Sequence, residues 1–478
     1  MPRILLVLLL LAAPLTAQAP SQAEFDELKR KNAELEKRLE KLEKQGGNEA
    51  GADELDKAVA EAEAGEKKPD SRAQARESRG RELFGFDLGS ARVRLIDISL
   101  TGLFAVGYSS VKDRFTEGLN GGGHDPKRRG FTLQQIELSF SGAVDPYFRA
   151  EAHFVVGEEG FELEETFFQT LSLPAGLQLE GGYFLTEFGR GNPRHPHDWD
   201  FIDQPVINTR IMGPDGMRGL GARLGWLTPL PWFSEVHVGV QNGNDESMVS
   251  FLGEGHHHGG EEHSEESLGG FARVERDIES LYEFVYLWRW HNHFSIGSNA
   301  GFSVGLSGLF GPNATGDKGK TWVGGADMLF KWRPSNHQRG WPYLRVQGEF
   351  MYRYFQADRG VLEEDPADPL DDIFLDSTVL GDWGGYLQVM LGFAHGWSAG
   401  LRLDFADAFR EGEELRKDDP LRDRRWRASA LVEWRITEFA RMRIQYNLDH
   451  MEHLKHSTAH GFWLSFEFLI GAHPAHGY

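Results

Sequence analysis

WRASALVEWRI, residues 426–436, is the stretch whose reading decides the fold. Trp426, Ala428, Ala430, Val432, Trp434 and Ile436 take one set of alternate positions; Arg427, Ser429, Leu431, Glu433 and Arg435 take the other. A period of two is that of a β-strand. One face is wholly apolar and the other is charged, which suits a strand with lipid outside and a wet lumen inside. FWLSFEF, residues 462–468, repeats the pattern: Phe462, Leu464, Phe466 and Phe468 point one way, Trp463, Ser465 and Glu467 the other.

Sixteen such runs are expected, at 92–109, 130–142, 147–156, 162–173, 177–188, 217–227, 233–242, 281–291, 297–310, 321–333, 342–355, 382–394, 397–409, 424–436, 439–449 and 459–470. Their connections sort by length. Short ones such as Val144-Asp145-Pro146, Pro174-Ala175-Gly176, His395-Gly396 and Thr437-Glu438 alternate with long ones at 110–129, 189–216, 243–280, 311–320, 356–381, 410–423 and 450–458. The short connection near Gly157–Gly160 is the exception. Short periplasmic turns and long outer loops are the pattern of a transmembrane barrel, and an even strand count returns both barrel ends to the periplasm. A soluble two-layer sandwich has no reason to sort its loops in this way. The fold class is therefore an all-β transmembrane barrel of about 16 antiparallel strands, 83–470, with a short N-terminal coiled-coil helix and a periplasmic tail, 471–478.

The N-terminus fits an exported protein. Arg3, the apolar run Ile4–Leu11 and Ala17-Gln18-Ala19 read as a signal peptide, 1–19. Phe25, Leu28, Asn32, Leu35, Leu39 and Leu42 follow at spacings of three and four, a heptad seam over 20–45 with Asn32 at a core position. Residues 46–82 read as a periplasmic linker. The chain has no cysteine, so disulfide and thiol chemistry are excluded.

One long connection is GRGNPRHPHDWDFIDQPVINTRIMGPDG, Gly189–Gly216. Its apolar residues Trp199, Phe201, Ile202, Val206, Ile207, Ile211 and Met212 argue against disorder. It is expected to fold into the barrel as a pore constriction lined by Arg190, Arg194, His195, His197, Asp198, Asp200 and Asp203. On the wall, Arg345, Arg353, Arg402, Arg425, Arg427, Arg435, Arg441 and Arg443 fall at inward positions beside Glu349, Asp404 and Glu433, opposing arginine to carboxylate.

The formal charge is -22. Most of it lies in two outer loops, with ten acids against two arginines over 243–279 and eight against one over 356–381. Such a mouth gathers cations and repels multivalent anions. His256, His257, His258 and His263 form a glycine-flanked tract suited to weak metal capture, and His450, His453 and His456 would share a face if a helical turn formed. His195 and His197 with a carboxylate give a further zinc-compatible set. No G-x-S-x-G motif is present, and no enzyme is expected.

On its strand pattern, coiled coil and long third loop, the chain resembles outer-membrane porins related to the phosphate- and polyphosphate-selective channels. Phe188-Gly189-Arg190-Gly191-Asn192 with His195-Pro196-His197, Trp199 and Asp203-Gln204-Pro205, and the ending Phe468–Tyr478, are similar to a His-containing subset sometimes linked to metals. The resemblance implies a homotrimer in the outer membrane and passive, ion-driven diffusion. The acidic barrel departs from a phosphate channel's ladder of Arg and Lys. The expected function is passive diffusion of small hydrophilic solutes or ions. The alternatives are a divalent-metal (zinc-like) channel or scavenger using the His-rich loops, and a structural tether with a plugged barrel. No cofactor is required, a weakly bound divalent metal such as zinc is compatible, and no nucleic-acid partner is expected.

Overall fold

The computed structural model describes residues 85–471, apart from 89–90, 95, 159, 254–270, 272–273, 275, 363–372, 411–421 and 453–456. The signal, coiled-coil, linker and tail assignments, and His256, His257, His258, His263, His453 and His456, lie outside the described residues.

Sixteen antiparallel strands close into one barrel in which each pairs with its sequence neighbours and the last pairs with the first. They are β1 (Asp97–Ser109), β2 (Gly130–Ala143), β3 (Phe148–Gly157), β4 (Gly160–Thr170), β5 (Leu177–Leu185), β6 (Arg218–Leu227), β7 (Phe233–Asn242), β8 (Phe284–Ile296), β9 (Ala300–Pro312), β10 (Lys320–Trp332), β11 (Tyr343–Ala357), β12 (Thr378–Ala394), β13 (Trp397–Arg410), β14 (Arg425–Thr437), β15 (Ala440–Met451) and β16 (Thr458–Gly471). Closure leaves no unpaired edge, which a spanning sheet requires because hydrocarbon cannot satisfy backbone polar groups. Among the described residues no helix is long and apolar enough to cross a membrane.

The expected start of the first strand at 92 is corrected. Ala91–Arg94 pairs with Gly85–Leu88 in a separate hairpin, and β1 begins at Asp97. The eighth strand runs from Phe284 to Ile296, later than expected, because alternation continues through Phe294 and Ile296 on the outer face.

The outer face is apolar. Leu387, Leu401, Leu403 and Ile444 are exposed along its middle. Toward the short-turn end lie exposed Trp232, Trp332, Trp397 and Trp434, with the last two stacked at 5.5 Å. Toward the long-loop end lie Tyr108, Phe131, Trp322, Trp426 and Phe462. An apolar band between two aromatic girdles is the exterior a membrane barrel presents to lipid.

The interior departs from the expectation of a uniformly wet lumen. Inward Val285, Leu287, Leu309, Val323, Met351 and Tyr386 form one buried cluster with loop residues Phe188, Ile207, Ile211, Met248 and Phe251. Along β8–β12 much of the inner wall is dry, because it is covered by chain that folds into the barrel.

Candidate functional site

The loop between β5 and β6 carries the site. Its short helix α1 (Val206–Met212) is too brief to hold together by its own hydrogen bonds. It is held by burial: Val206, Ile207, Ile211 and Met212 are all covered by the inner wall. Inward glycines make the recesses. A Cβ on Gly325 of β10 would lie 2.6 Å from the Phe188 ring, and one on Gly384 of β12 would lie 3.0 Å from Ile207 Cδ1. Gly400 of β13 stands in the same way under Phe201, at 3.2 Å. Each fully buried anchor contributes about 2 kcal/mol relative to exposure. Gly189 turns the chain inward with φ 63°, a left-handed conformation that glycine adopts without strain.

The polar contacts trace a path across the lumen. Gly189 N donates to Ser307 Oγ of β9 at 3.2 Å, and Gly191 N to Glu349 Oε2 of β11 at 3.0 Å. Four residues later, His195 Nδ1 and Nε2 meet Glu164 Oε2 and Glu165 Oε2 of β4 at 2.9 and 2.8 Å. β4 and β11 are seven strands apart in a ring of sixteen, so this segment bridges nearly opposite walls. The chain then follows β15. Arg441 Nη2 donates to His197 O at 2.6 Å, and Arg443 Nη1 to Trp199 O and Phe201 O at 3.0 and 3.1 Å.

Asp200 pairs with Arg345 and accepts from Gln388 Nε2 at 2.8 Å. Asp203 is bonded through both carboxylate oxygens. It accepts from Arg402 Nη2 at 2.6 Å, Arg427 Nη1 at 2.9 Å and Asn447 Nδ2 at 2.6 Å. Burial works against its charge, but Arg402 and Arg427 overcome this and hold its carboxyl at about 2.

The loop at 110–129 joins this centre from above. Leu119 O and Asn120 Oδ1 accept from Arg427 Nη2 at 2.7 and 2.6 Å, and Arg425 donates to Gly118 O at 3.0 Å. Asp125 bonds Gly122 N and Gln204 N, at 3.0 and 2.9 Å. Burial first, and Asp203 next, push its carboxyl up to about 6.

The remaining wall residues are paired. Arg353 Nη2 bonds Asp382 at 2.5 Å, Arg402 Nε bonds Asp404 at 2.8 Å, and Asp404 accepts Val206 N at 3.2 Å. Arg435 and Arg441 hold Glu433 at 2.8 and 3.3 Å. Arg435, nearest the short turns, is the most exposed of these arginines. Arg190 is buried, its Nε without a hydrogen-bond partner among the described residues, Asp198 sits in a 3₁₀ turn, and Arg194 lines a small cavity with His124, Glu164 and Asp215.

His450 is described, while His453 and His456, expected beside it, lie outside the described residues. His450 lies in β15, which runs to Met451, and its ring stacks 5.5 Å from the outward Trp426.

Sequence reasoning paired His195 and His197 with an unspecified carboxylate. The structure supplies Glu137 of β2, His153 of β3, and Glu164 and Glu165 of β4. His197 Nδ1 lies 2.9 Å from Glu137 Oε2, and His153 Nδ1 3.2 Å from Glu137 Oε1. Burial lowers the proton affinity of His195, but Glu164 and Glu137 outweigh this and hold it well above the ordinary histidine value. The signal was available in register. His153 lies directly across from Ser139 on β2 and Glu165 on β4, all on inward positions. What the pattern hid is a one-residue bulge at Glu164, which turns two successive glutamates toward the lumen.

No known family model matches the chain. Over 377 residues it is 28% identical to an uncharacterized protein of Aquifex aeolicus strain VF5, covering 74% of this chain and 72% of that one. Among solved structures, the outer membrane channel DcaP of Acinetobacter baumannii superposes with a TM-score of 0.50 at 11% identity, covering 81% of this chain and 100% of that one. Pseudomonas putida OprB gives 0.44 at 10% identity, over 78% of this chain and 94% of that one. The likeness to DcaP is one of fold: a closed sixteen-strand porin barrel.

Proposed function

We propose that this chain is an outer-membrane channel for passive diffusion of small hydrophilic solutes or ions, narrowed by the loop at 189–216. The observation that carries the reading is the fixation of that loop inside the barrel, by Asp203 on Arg402 and Arg427 and by His195 on Glu164 and Glu165. The chemistry offered to a solute is electrostatic. Arginines of β13–β15 and carboxylates of β2–β4 set a transverse field, and the acidic loops 243–279 and 356–381 set the field at the mouth. The chain has no need of a covalent step for this role. The heptad seam at 20–45 supports assembly as a homotrimer, with the seam on the periplasmic side.

The plugged tether is the second reading. It is favoured by the segment 191–195, which reaches from β11 to β4, and by the dry cluster along β8–β12. Reversal potential in a planar bilayer under a salt gradient separates the two. A steady conductance with cation preference supports a channel whose acidic mouth sets selectivity. Silence at every voltage supports the tether.

A further inference from the structure

Three carboxylates at the junction of loop and wall have an unusual charge balance. Glu137, Glu164 and Glu165 are buried, and their ion-pair partners among the described residues are all histidines. Buried charge of one sign needs a counter-charge close by. Three protonated imidazoles would supply it, but the His153 and His195 rings are 4.7 Å apart and the His195 and His197 rings 5.6 Å apart. Three cations stacked that closely repel one another. One divalent ion with neutral imidazole ligands offsets two of the three negative charges without that repulsion.

We propose that Glu137, His153 and His195 bind a divalent transition-metal ion of the zinc class, which fastens the loop to the wall. Their ligand atoms all lie within 4.8 Å of one another. His153 Nδ1 is 3.2 Å from Glu137 Oε1, and His195 Nδ1 is 3.6 Å from Glu137 Oε2. Bonds of about 2.0–2.2 Å in a tetrahedron put neighbouring ligand atoms about 3.4 Å apart, so these pairs already stand near that spacing. Imidazole with carboxylate suits zinc over magnesium or calcium. Glu164 Oε2, 2.9 Å from His195 Nδ1, and His197 Nδ1, 2.9 Å from Glu137 Oε2, adjoin the set and offer a fourth ligand.

The surroundings hold the ligands in aim. Ser139 Oγ donates to Glu137 Oε1 at 2.7 Å, Gln135 Nε2 to Glu137 Oε2 at 3.2 Å, and Leu185 N to Glu165 Oε1 at 2.6 Å. Outer hydrogen bonds of this kind orient metal ligands. The bulge at Glu164 adds a second inward carboxylate where regular pairing would give one, and bulges of this kind are common beside functional sites. The site draws on β2, β3 and the loop, so an ion there ties together elements distant in sequence. It differs from the loop histidines at 256–263, and it stands whether or not the barrel conducts.

The test uses untagged full-length protein in detergent, and a variant lacking residues 255–263 so that the exposed histidine tract is not counted. After chelation, both are loaded with zinc, desalted and assayed for metal by mass spectrometry, with affinity read by competition against a chromogenic chelator. About one zinc per chain should remain in both. Glu137→Gln and His153→Gln should retain less than a tenth of that. Ser139→Ala keeps every ligand and should weaken binding about tenfold. X-ray absorption of the zinc-loaded, loop-deleted protein guards against a misfolded variant. Scattering from two imidazoles supports the site. Less than a tenth of an equivalent retained, unchanged retention in folded His153→Gln, or an ion ringed by water alone overturns it.

Discussion

Replacing Asp203 by Asn tests how the loop is held. The carboxylate takes donors from Arg402, Arg427 and Asn447 at 2.6, 2.9 and 2.6 Å, and all of these groups are buried. Breaking a buried ion pair costs about 3–5 kcal/mol. Arg402 keeps Asp404 at 2.8 Å and Arg427 keeps Asp449 at 2.7 Å, so the lower end, about 3 kcal/mol, applies. That is about a hundredfold in the ratio of docked to undocked loop. Hydrogen exchange followed by mass spectrometry reads this ratio directly. Amides of 201–208 should lose about a hundredfold in protection, while strands β12–β15 keep theirs. The wild-type carboxyl is held at about 2, below its ordinary 3.8. Its contribution is therefore complete above pH 3.8 and is lost only as pH falls through about 2. The difference between wild type and variant should thus be steady between pH 3.8 and 5 and shrink as pH rises through about 6, where Asp125, pushed up in part by Asp203, takes its charge. Equal protection of 201–208 in a folded Asp203→Asn barrel would refute the anchoring argument.

Asp125 should behave in the opposite sense. Its carboxyl is raised to about 6, so its stabilising contribution is complete below 3.8 and disappears as pH rises through 6. Exchange at the Gln204 amide should be slower at pH 5 than at pH 7.5 after correction for intrinsic rates, and Asp125→Asn should flatten that dependence. Gly325→Ala sets a Cβ 2.6 Å from the Phe188 ring. It should cost about 1–3 kcal/mol of loop docking by overpacking, read as earlier protease cleavage within 189–216. Leu403 is 62% exposed in the middle of β13. Leu403→Arg should lower barrel stability by about 2–4 kcal/mol in lipid refolding titrations, whereas the same change at the inward Leu431 should act on the loop instead.

The wall was legible from the residues because period-two alternation is a local signal. Trp426, Val432 and Trp434 face out, and Arg427, Ser429 and Glu433 face in, as their positions required. The fate of Ala91–Arg94 was not legible, since a break after Arg94 leaves no mark on alternation. The dry inner arc was hidden for a similar reason. Val285, Leu309 and Met351 read as strand residues, and their burial depends on where a distant loop lands. His195 and His197 were visible by type and spacing. Their partners Glu137, His153 and Glu165 needed cross-strand register, and Glu164 needed the bulge.

Single-channel recording of the wild-type protein beside a variant whose segment 194–212 is replaced by a short Gly-Ser bridge tests the central claim, that the loop inside the barrel limits the current. The account predicts discrete openings in the wild type and a several-fold larger conductance in the variant, with selectivity shifting toward that of the wall arginines. An unchanged conductance in a folded, loop-shortened barrel would contradict it.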